Sequence, residues 1–364
     1  MNILHTEAST GWGGQEMRIL KESLAMRERG HEVFFCVNEG GTLADKAREK
    51  GFTVYTFPMN YKRLFQVLFR LCRIIKQHHI SVVNTHSSID AWLGGIAAKL
   101  CGCHVVRTRH ISAPIKPGAN SKLLYKLLAN FTVTTCEEVA DVIKRQAGID
   151  SKRCKSVPTG IDQSKLSFSK EEAKQFRAQY GIDEKDFLVG TACILRSWKG
   201  IEDLLLAANL LKETPHLKWI IIGSGPGDTL FRQKCRELEL EDKVIFTGFI
   251  DAPYSAIASL DAFTLLSTAN EGVSQASLQA AYLKKPLITT PTGGLKEVCI
   301  DEQTGYLVPI KSPQDIADRV LKLYHNRNLS NEMGEKAHEL VCSRFLFDCT
   351  VNEMESIFST SQPA

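Results

Sequence analysis

The chain has 364 residues, 43% of them hydrophobic and 24% charged, which suits two soluble globular domains of ordinary size. No run of about 18 apolar residues is present to span a membrane, and the opening MNILHTEAST lacks the basic-then-apolar order of a signal peptide. The net charge of +4 is uneven: residues 1–165 carry 24 Lys+Arg against 14 Asp+Glu, net +10, and the rest carry 21 against 27, net −6, so the first half is expected to meet an anionic surface or substrate.

Asn2-Ile3-Leu4-His5 reads as an opening strand, followed by Gly11-Trp12-Gly13-Gly14 and a helix over residues 15–29. Met17, Leu20 and Leu24 mark that helix's expected buried face, and Gly30 ends it. A strand over 33–37 completes one βαβ unit. Its glycines permit a tight turn and close approach of a ligand to the backbone, but their spacing is not G-x-G-x-x-G, so a dinucleotide fingerprint is not supported. A short helix over 44–50 and a strand over 52–57 follow. Residues 64–78 form an amphipathic helix with Leu64, Val67, Leu68, Leu71, Ile74 and Ile75 facing in and Arg63, Arg70, Arg73 and Lys76 facing out. Such a basic face is ordinarily just solvated; against an anionic bilayer each basic residue adds roughly 1 kcal/mol of attraction.

Val82-Val83-Asn84 is a strand that runs into Thr85-His86-Ser87-Ser88. After a helix over 91–100, the strand Val105-Val106 runs into Arg107-Thr108-Arg109-His110. Two His-bearing segments therefore follow neighbouring strands at the ends where open α/β sheets bind ligands. A strand over 131–135, a helix over 137–147 and a strand over 155–158 precede Thr159-Gly160-Ile161-Asp162. The polar stretch that follows reads as a linker with a connecting helix, placed at residues 166–185.

A second α/β series starts with a strand over 187–192. Its loop holds Arg196-Ser197-Trp198-Lys199-Gly200, and Gly223-Ser224-Gly225-Pro226-Gly227 is a later Gly-rich turn. The most informative run is 267–297. A buried strand over 262–266 leads to Asn270-Glu271-Gly272, then a helix over 276–283 with Leu278, Ala281 and Tyr282 on one face. Pro286 stops it before a strand over 287–290 and the turn Pro291-Thr292-Gly293-Gly294. Free N–H groups at that helix start favour an anion, and Gln275 and Gln279, four apart, share a face. Two α/β series of similar size predict an α/β chain of two facing Rossmann-like domains with a cleft between them.

The 11 cysteines are scattered, with only Cys101 and Cys103 close together, and no His/Cys cluster completes a zinc pattern. Reduced thiols in the cytoplasm are expected.

The 267–297 run resembles the signature of retaining family 4 glycosyltransferases of the GT-B fold, of the bacterial cell-surface polysaccharide or lipopolysaccharide type. Further pieces agree in order: Gly13-Gly14, Thr85-His86-Ser87, His110, the segment Val157-Pro158-Thr159-Gly160, Lys199-Gly200, Gly223-Ser224-Gly225-Pro226 and Thr304-Gly305-Tyr306. The resemblance implies transfer of a sugar from a nucleotide-diphosphate sugar to a glycan, lipid-linked or lipopolysaccharide acceptor, with no metal and no other cofactor. It implies that residues 1–165 form an acceptor-side domain to which a helix over 345–364 returns, and that residues 186–344 bind the sugar nucleotide. By the same resemblance His110, Glu271, Lys199 and Arg196 are catalytic. Gly13, Gly14, Gly223, Gly272, Val273, Ser274, Gln275 and Gln279 bind the donor, and His86, Ser87, Arg107 and Arg109 line the acceptor side. Two departures stand out. Gln279 occupies the place of a family Glu, so a ribose contact there lacks charge assistance. Ile194 occupies the place of a family Arg, with Arg196 nearby taking its phosphate role.

The expected location is the cytoplasm, at the inner face of the membrane, with an anionic membrane surface as a further partner and no nucleic acid. Other readings of the residues are a GT-B sugar-nucleotide epimerase or hydrolase, a nicotinamide or flavin oxidoreductase, and a non-catalytic binding protein.

Overall fold

The computed structural model describes residues 1–112, 115–166 and 168–360. The chain divides into two compact units, Met1–Thr159 with the segment from Asp348 onward, and Gly160–Phe347. Each is a parallel sheet flanked by helices, as expected of a Rossmann-like domain.

The first unit has a 7-stranded sheet. Its strands are β1 (Asn2–Glu7), β2 (Glu32–Asn38), β3 (Thr53–Phe57), β4 (Val82–Thr85), β5 (His104–Arg109), β6 (Phe131–Thr134) and β7 (Cys154–Ser156). They lie in the order β3-β2-β1-β4-β5-β6-β7. The second unit has a 6-stranded sheet of β8 (Phe187–Ala192), β9 (Leu217–Ile222), β10 (Val244–Gly248), β11 (Ala262–Leu265), β12 (Leu287–Thr289) and β13 (Gly305–Leu307), in the order β10-β9-β8-β11-β12-β13. Central strands such as β4, β8 and β11 are buried along their whole length, because helices cover both faces of a parallel sheet.

In both sheets the strand order reverses once, between β1 and β4 in the first and between β8 and β11 in the second. The loops leaving those strands at their C-terminal ends part in opposite directions there and leave the crevice where open α/β sheets bind ligands.

Two sequence expectations change. Met17 is 55% exposed, not buried; the helix Gly14–Glu28 turns Arg18, Ile19, Glu22 and Met26 inward instead, and its buried charges pair with each other, Arg18 Nε with Glu22 Oε1. The unit boundary falls at Thr159/Gly160, before the 166–185 stretch expected as a linker. That stretch holds the helix Lys170–Gln179, whose Phe176, with Tyr180, packs on the second unit's core. The helix Leu64–Gln77 keeps its expected inward face, with Val67, Leu71, Ile74 and Ile75 buried and Leu64 and Leu68 packed against the same core, and it leaves Phe65 84% and Phe69 71% exposed.

The C-terminal helix Phe347–Ser359 packs on the first unit. It buries Val351, Met354, Ile357 and Phe358, and Glu355 meets both Arg29 and His31. No helix among the described residues is long and apolar enough to cross a membrane.

Candidate functional site

In the second unit, Lys199 sits in the loop after β8 and Glu271 in the loop after β11, on the two sides of the strand-order reversal. Lys199 Nζ pairs with Glu271 Oε1, and Ser267 Oγ donates to the same oxygen at 2.6 Å. The Glu271 side chain is only 8% exposed, so its carboxylate is held by fixed partners rather than by water. The loops are also stitched backbone to backbone, Thr268 N donating to Trp198 O at 2.8 Å. Thr290 and Thr292, after β12, donate their hydroxyls to Ser267 O at 2.5 and 2.7 Å.

Two glycines allow this packing. Gly200 has φ +69, and a Cβ there would lie 2.1 Å from Leu266 O. Gly293 has φ +56, and a Cβ there would lie 1.9 Å from Glu271 O. A side chain at either place would force the loop carrying Glu271 away.

The helix after Glu271 is Gln275–Tyr282, capped by Ser274, whose hydroxyl accepts from Ser277 N at 3.4 Å. Leu278 and Ala281 are buried and Tyr282 half-buried, the face read from the sequence. Gly272, Val273, Ser274 and Gln279 are half-buried and Gln275 exposed. Arg196 is exposed and stacks its guanidinium over Trp198 at 5.1 Å. Gly223 opens the loop after β9, beside Cys193.

In the first unit, the end of β1, the end of β4 and the end of β5 bring together three histidines. His5 Nδ1 and His86 Nε2 are 2.9 Å apart, and His86 Nδ1 and His110 Nε2 are 3.0 Å apart. The His86–His110 pairing brings together the two segments that the sequence placed on adjacent strands. Burial lowers the His5 pKa to about 3. Burial, together with the charges of Arg107 and Arg18, holds His86 and His110 well below the ordinary histidine range. All three rings are therefore neutral at physiological pH.

Asp90 anchors the turn after β4. Its Oδ1 accepts from Ser87 N at 2.8 Å and its Oδ2 from His86 N at 2.7 Å and Thr6 Oγ1 at 3.0 Å. Burial raises the Asp90 pKa, with Arg107 opposing. Glu7, at the end of β1, accepts from Ser9 N at 2.7 Å and from the Gln15 side chain. Burial, and then the Asp90 carboxylate, push Glu7 up to about 7. Gln15 thus ties the Gly13-Gly14 helix start to the end of β1, and Glu16 reaches back to Gly13 N at 2.9 Å. Nothing lies within 4 Å of a Cβ built at Gly14, so its backbone faces open space.

Of the residues assigned to the acceptor side, His86 and Arg107 are buried, at 2% and 4% exposure, while Ser87 and Arg109 are half-buried. Arg109 Nη1 donates to Tyr125 OH at 3.4 Å. The sequence reading missed His5, Glu7, Asp90 and Ser267. Asp90 was findable, since Ser87-x-x-Asp90 has capping-box spacing. His5 and Ser267 carried no local signal, because their partners are distant in the chain.

Comparison with known proteins agrees with this architecture. Residues 12–165 match the family model "Glycosyltransferase Family 4", and residues 172–340 match "Glycosyl transferases group 1". The chain is 24% identical to the N-acetyl-alpha-D-glucosaminyl L-malate synthase of Bacillus anthracis, over 96% of this chain and 94% of that one. A glycosyltransferase structure from Rickettsia africae ESF-5 superposes with TM-score 0.89 at 18% identity, covering 99% of this chain and 98% of that one. Anabaena Alr3699/HepE, solved in complex with UDP, superposes with TM-score 0.84 at 19% identity, covering 99% of this chain and 100% of that one. With two Rossmann-like domains and a family model matched along each, this chain belongs to the GT-B glycosyltransferases of family 4.

Proposed function

We propose that this glycosyltransferase is retaining and metal-independent, and that it moves a sugar from a nucleotide-diphosphate sugar to a glycan or lipid-linked acceptor of the lipopolysaccharide type. The observation that carries the reading is the Lys199–Glu271 pair, braced by Ser267 at the strand-order reversal.

The reaction needs a diphosphate to leave with its charge stabilised. Lys199 and Arg196 supply positive charge, and the backbone N–H groups of Gly272, Val273 and Ser274 precede a helix N-terminus that favours an anion. Gly13, Gly14 and Gly223 let the phosphates approach backbone closely. Glu271 accepts from hydroxyls of the donor sugar, and Gln275 and Gln279 hydrogen-bond the nucleotide side. Bound hydroxyls compete with Lys199 for the Glu271 carboxylate, which frees the ammonium for the phosphates. His110 contacts the sugar at its reacting end. The leaving phosphate oxygen takes the acceptor proton, so no protein nucleophile is required. Ser87 and Arg109 meet the acceptor, and the buried His86 and Arg107 support them from behind. The UDP bound by the Anabaena protein supports a nucleotide-sugar donor.

The exposed Phe65 and Phe69, with Lys62, Arg63, Arg70, Arg73 and Lys76 exposed around them, favour docking on an anionic membrane at its cytoplasmic face. A lipid-linked acceptor would be met there.

Lys199→Ala and Glu271→Ala should each lower turnover by ~10²-fold or more, the scale of losing a group that stabilises developing charge. Donor choice is read first from thermal shifts with a panel of nucleoside diphosphates, where a ligand at 100 times its Kd stabilises by ~2.7 kcal/mol. Near-normal turnover in both variants, with no nucleotide stabilising the protein, would reject the reading.

A further inference from the structure

The three-histidine chain of the first unit has a direction, and that direction determines what His110 offers a ligand. Both bridges are formed at hydrogen-bond distance, and successive rings have centroids 5.1 and 5.2 Å apart with their planes inclined by 18° and 36°. His5 is further held between Phe35, stacked at 5.7 Å, and Phe358 of the C-terminal helix, edge-on at 6.4 Å.

A neutral imidazole has one N–H, so the two bridges couple the tautomers of all three rings. Only two arrangements keep both bridges. If protons point from His110 toward His5, the chain ends in a His5 Nε2–H. That atom is buried and has no hydrogen-bond partner among the described residues. If protons point from His5 toward His110, the chain ends in a bare His5 lone pair. A buried donor without an acceptor is the rarer and costlier of these two endings.

We infer that His5 and His86 are positioning residues that hold His110 as its Nδ1–H tautomer, so that the ring donates a neutral hydrogen bond to an oxygen of the donor sugar. His110 Nε2 is occupied by His86. Nδ1 is thus the nitrogen left to meet a ligand. The neutral form matters to the reaction. Glycosyl transfer builds positive charge on the sugar ring, and an imidazolium beside it would oppose that charge. Desolvation, with the charges of Arg18 and Arg107 close by, keeps the half-buried His110 uncharged, and the chain direction still leaves it a donor. The sugar as the contacted group rests on the transferase reading; the tautomer does not.

The test uses the full chain labelled with ¹⁵N, in which protonated and bare imidazole nitrogens resonate well apart. In the wild type, His110 should show its proton on Nδ1. His86→Phe removes the bridge, and His110 should relax toward the Nε2–H form that free histidine favours. The same variant should lower kcat by roughly 10-fold or more while the donor KM changes by less than about 3-fold, the pattern of a mis-set catalytic tautomer. His5→Phe keeps the aromatic packing and guards against a folding failure in the first variant; it should leave His110 with mixed tautomers. His5→Asn, whose amide N–H₂ lies where Nδ1–H was, should restore the Nδ1–H form and bring kcat back to within about 3-fold of wild type.

A wild-type His110 protonated on Nε2, or unchanged His110 spectra in both Phe variants, would overturn the inference. If Lys199→Ala and Glu271→Ala leave turnover intact, the donor-site reading fails and the spectra still decide the tautomer. If those variants lose turnover as expected but the spectra go the other way, the histidine inference fails alone.

Discussion

Glu7 shows how one buried carboxyl at the end of β1 ties the site to stability. Its pKa rises from the ordinary 4.5 to about 7, mainly through burial and then through Asp90. Between those values the folded protein keeps a proton that the unfolded chain has released. Stability therefore falls as pH rises through that window and levels off above it. Glu7→Gln removes the ionisation and can still accept from Ser9 N. The variant should melt higher than wild type at pH 8, by up to on the order of 3 kcal/mol, with the difference closing toward pH 4.5. Calorimetry at the two pH values checks this, and equal stabilities at pH 8 would mean that Glu7 ionises at its usual place.

At the scale of elements, two segments bear directly on function. The helix Leu64–Gln77 keeps its apolar face on the core, yet Phe65 and Phe69 point to solvent, one turn apart, among basic residues. Replacing both with Ser leaves the core face untouched. The variant should lose most of its sedimentation with vesicles containing anionic lipid while keeping its melting temperature. Unchanged sedimentation would remove the membrane-docking role from this helix. The second segment is the turn after β12. Gly293→Ala places a Cβ against Glu271 O in a left-handed backbone conformation. It should cost on the order of 2–4 kcal/mol in urea unfolding and weaken nucleotide binding, because the displaced loop carries Glu271 and the helix start behind it.

For the molecule as a whole, the C-terminal helix is an integral part of the first unit. Val351, Met354, Ile357 and Phe358 are each at most 5% exposed, and burial of such side chains stabilises by roughly 1.5–3 kcal/mol apiece. Together this is comparable to the whole stability of a typical domain. Ending the chain at Leu346 should therefore leave the first unit unable to fold, seen as loss of soluble protein and of protease-resistant fragments from residues 1–159. A truncated protein that stays soluble with wild-type helicity would show that the helix only rests on its surface.

The ordering of strands, helices and Gly-rich loops was legible because each depends on neighbours in the chain: apolar runs, breakers and caps act within a few residues. The same locality made Glu271, Lys199, His86 and His110 recognisable as loop residues at strand ends, and the ordered motif set led to the family. The tertiary structure alone decided what those residues touch. Ser267 shares an oxygen with Lys199 only because β8 and β11 are sheet neighbours, although the two residues are far apart in sequence. Met17 is exposed and its neighbour Arg18 buried because burial of a charge depends on a partner, here Glu22, and periodicity does not register pairing. His5 looked like one more residue of a buried strand. The pairing of β1 with β4, and of β4 with β5, made it the inner end of a hydrogen-bonded chain that reaches His110. Sequence determined the elements because their causes are local; the sheet order decided the site because hydrogen bonds and desolvation act across space.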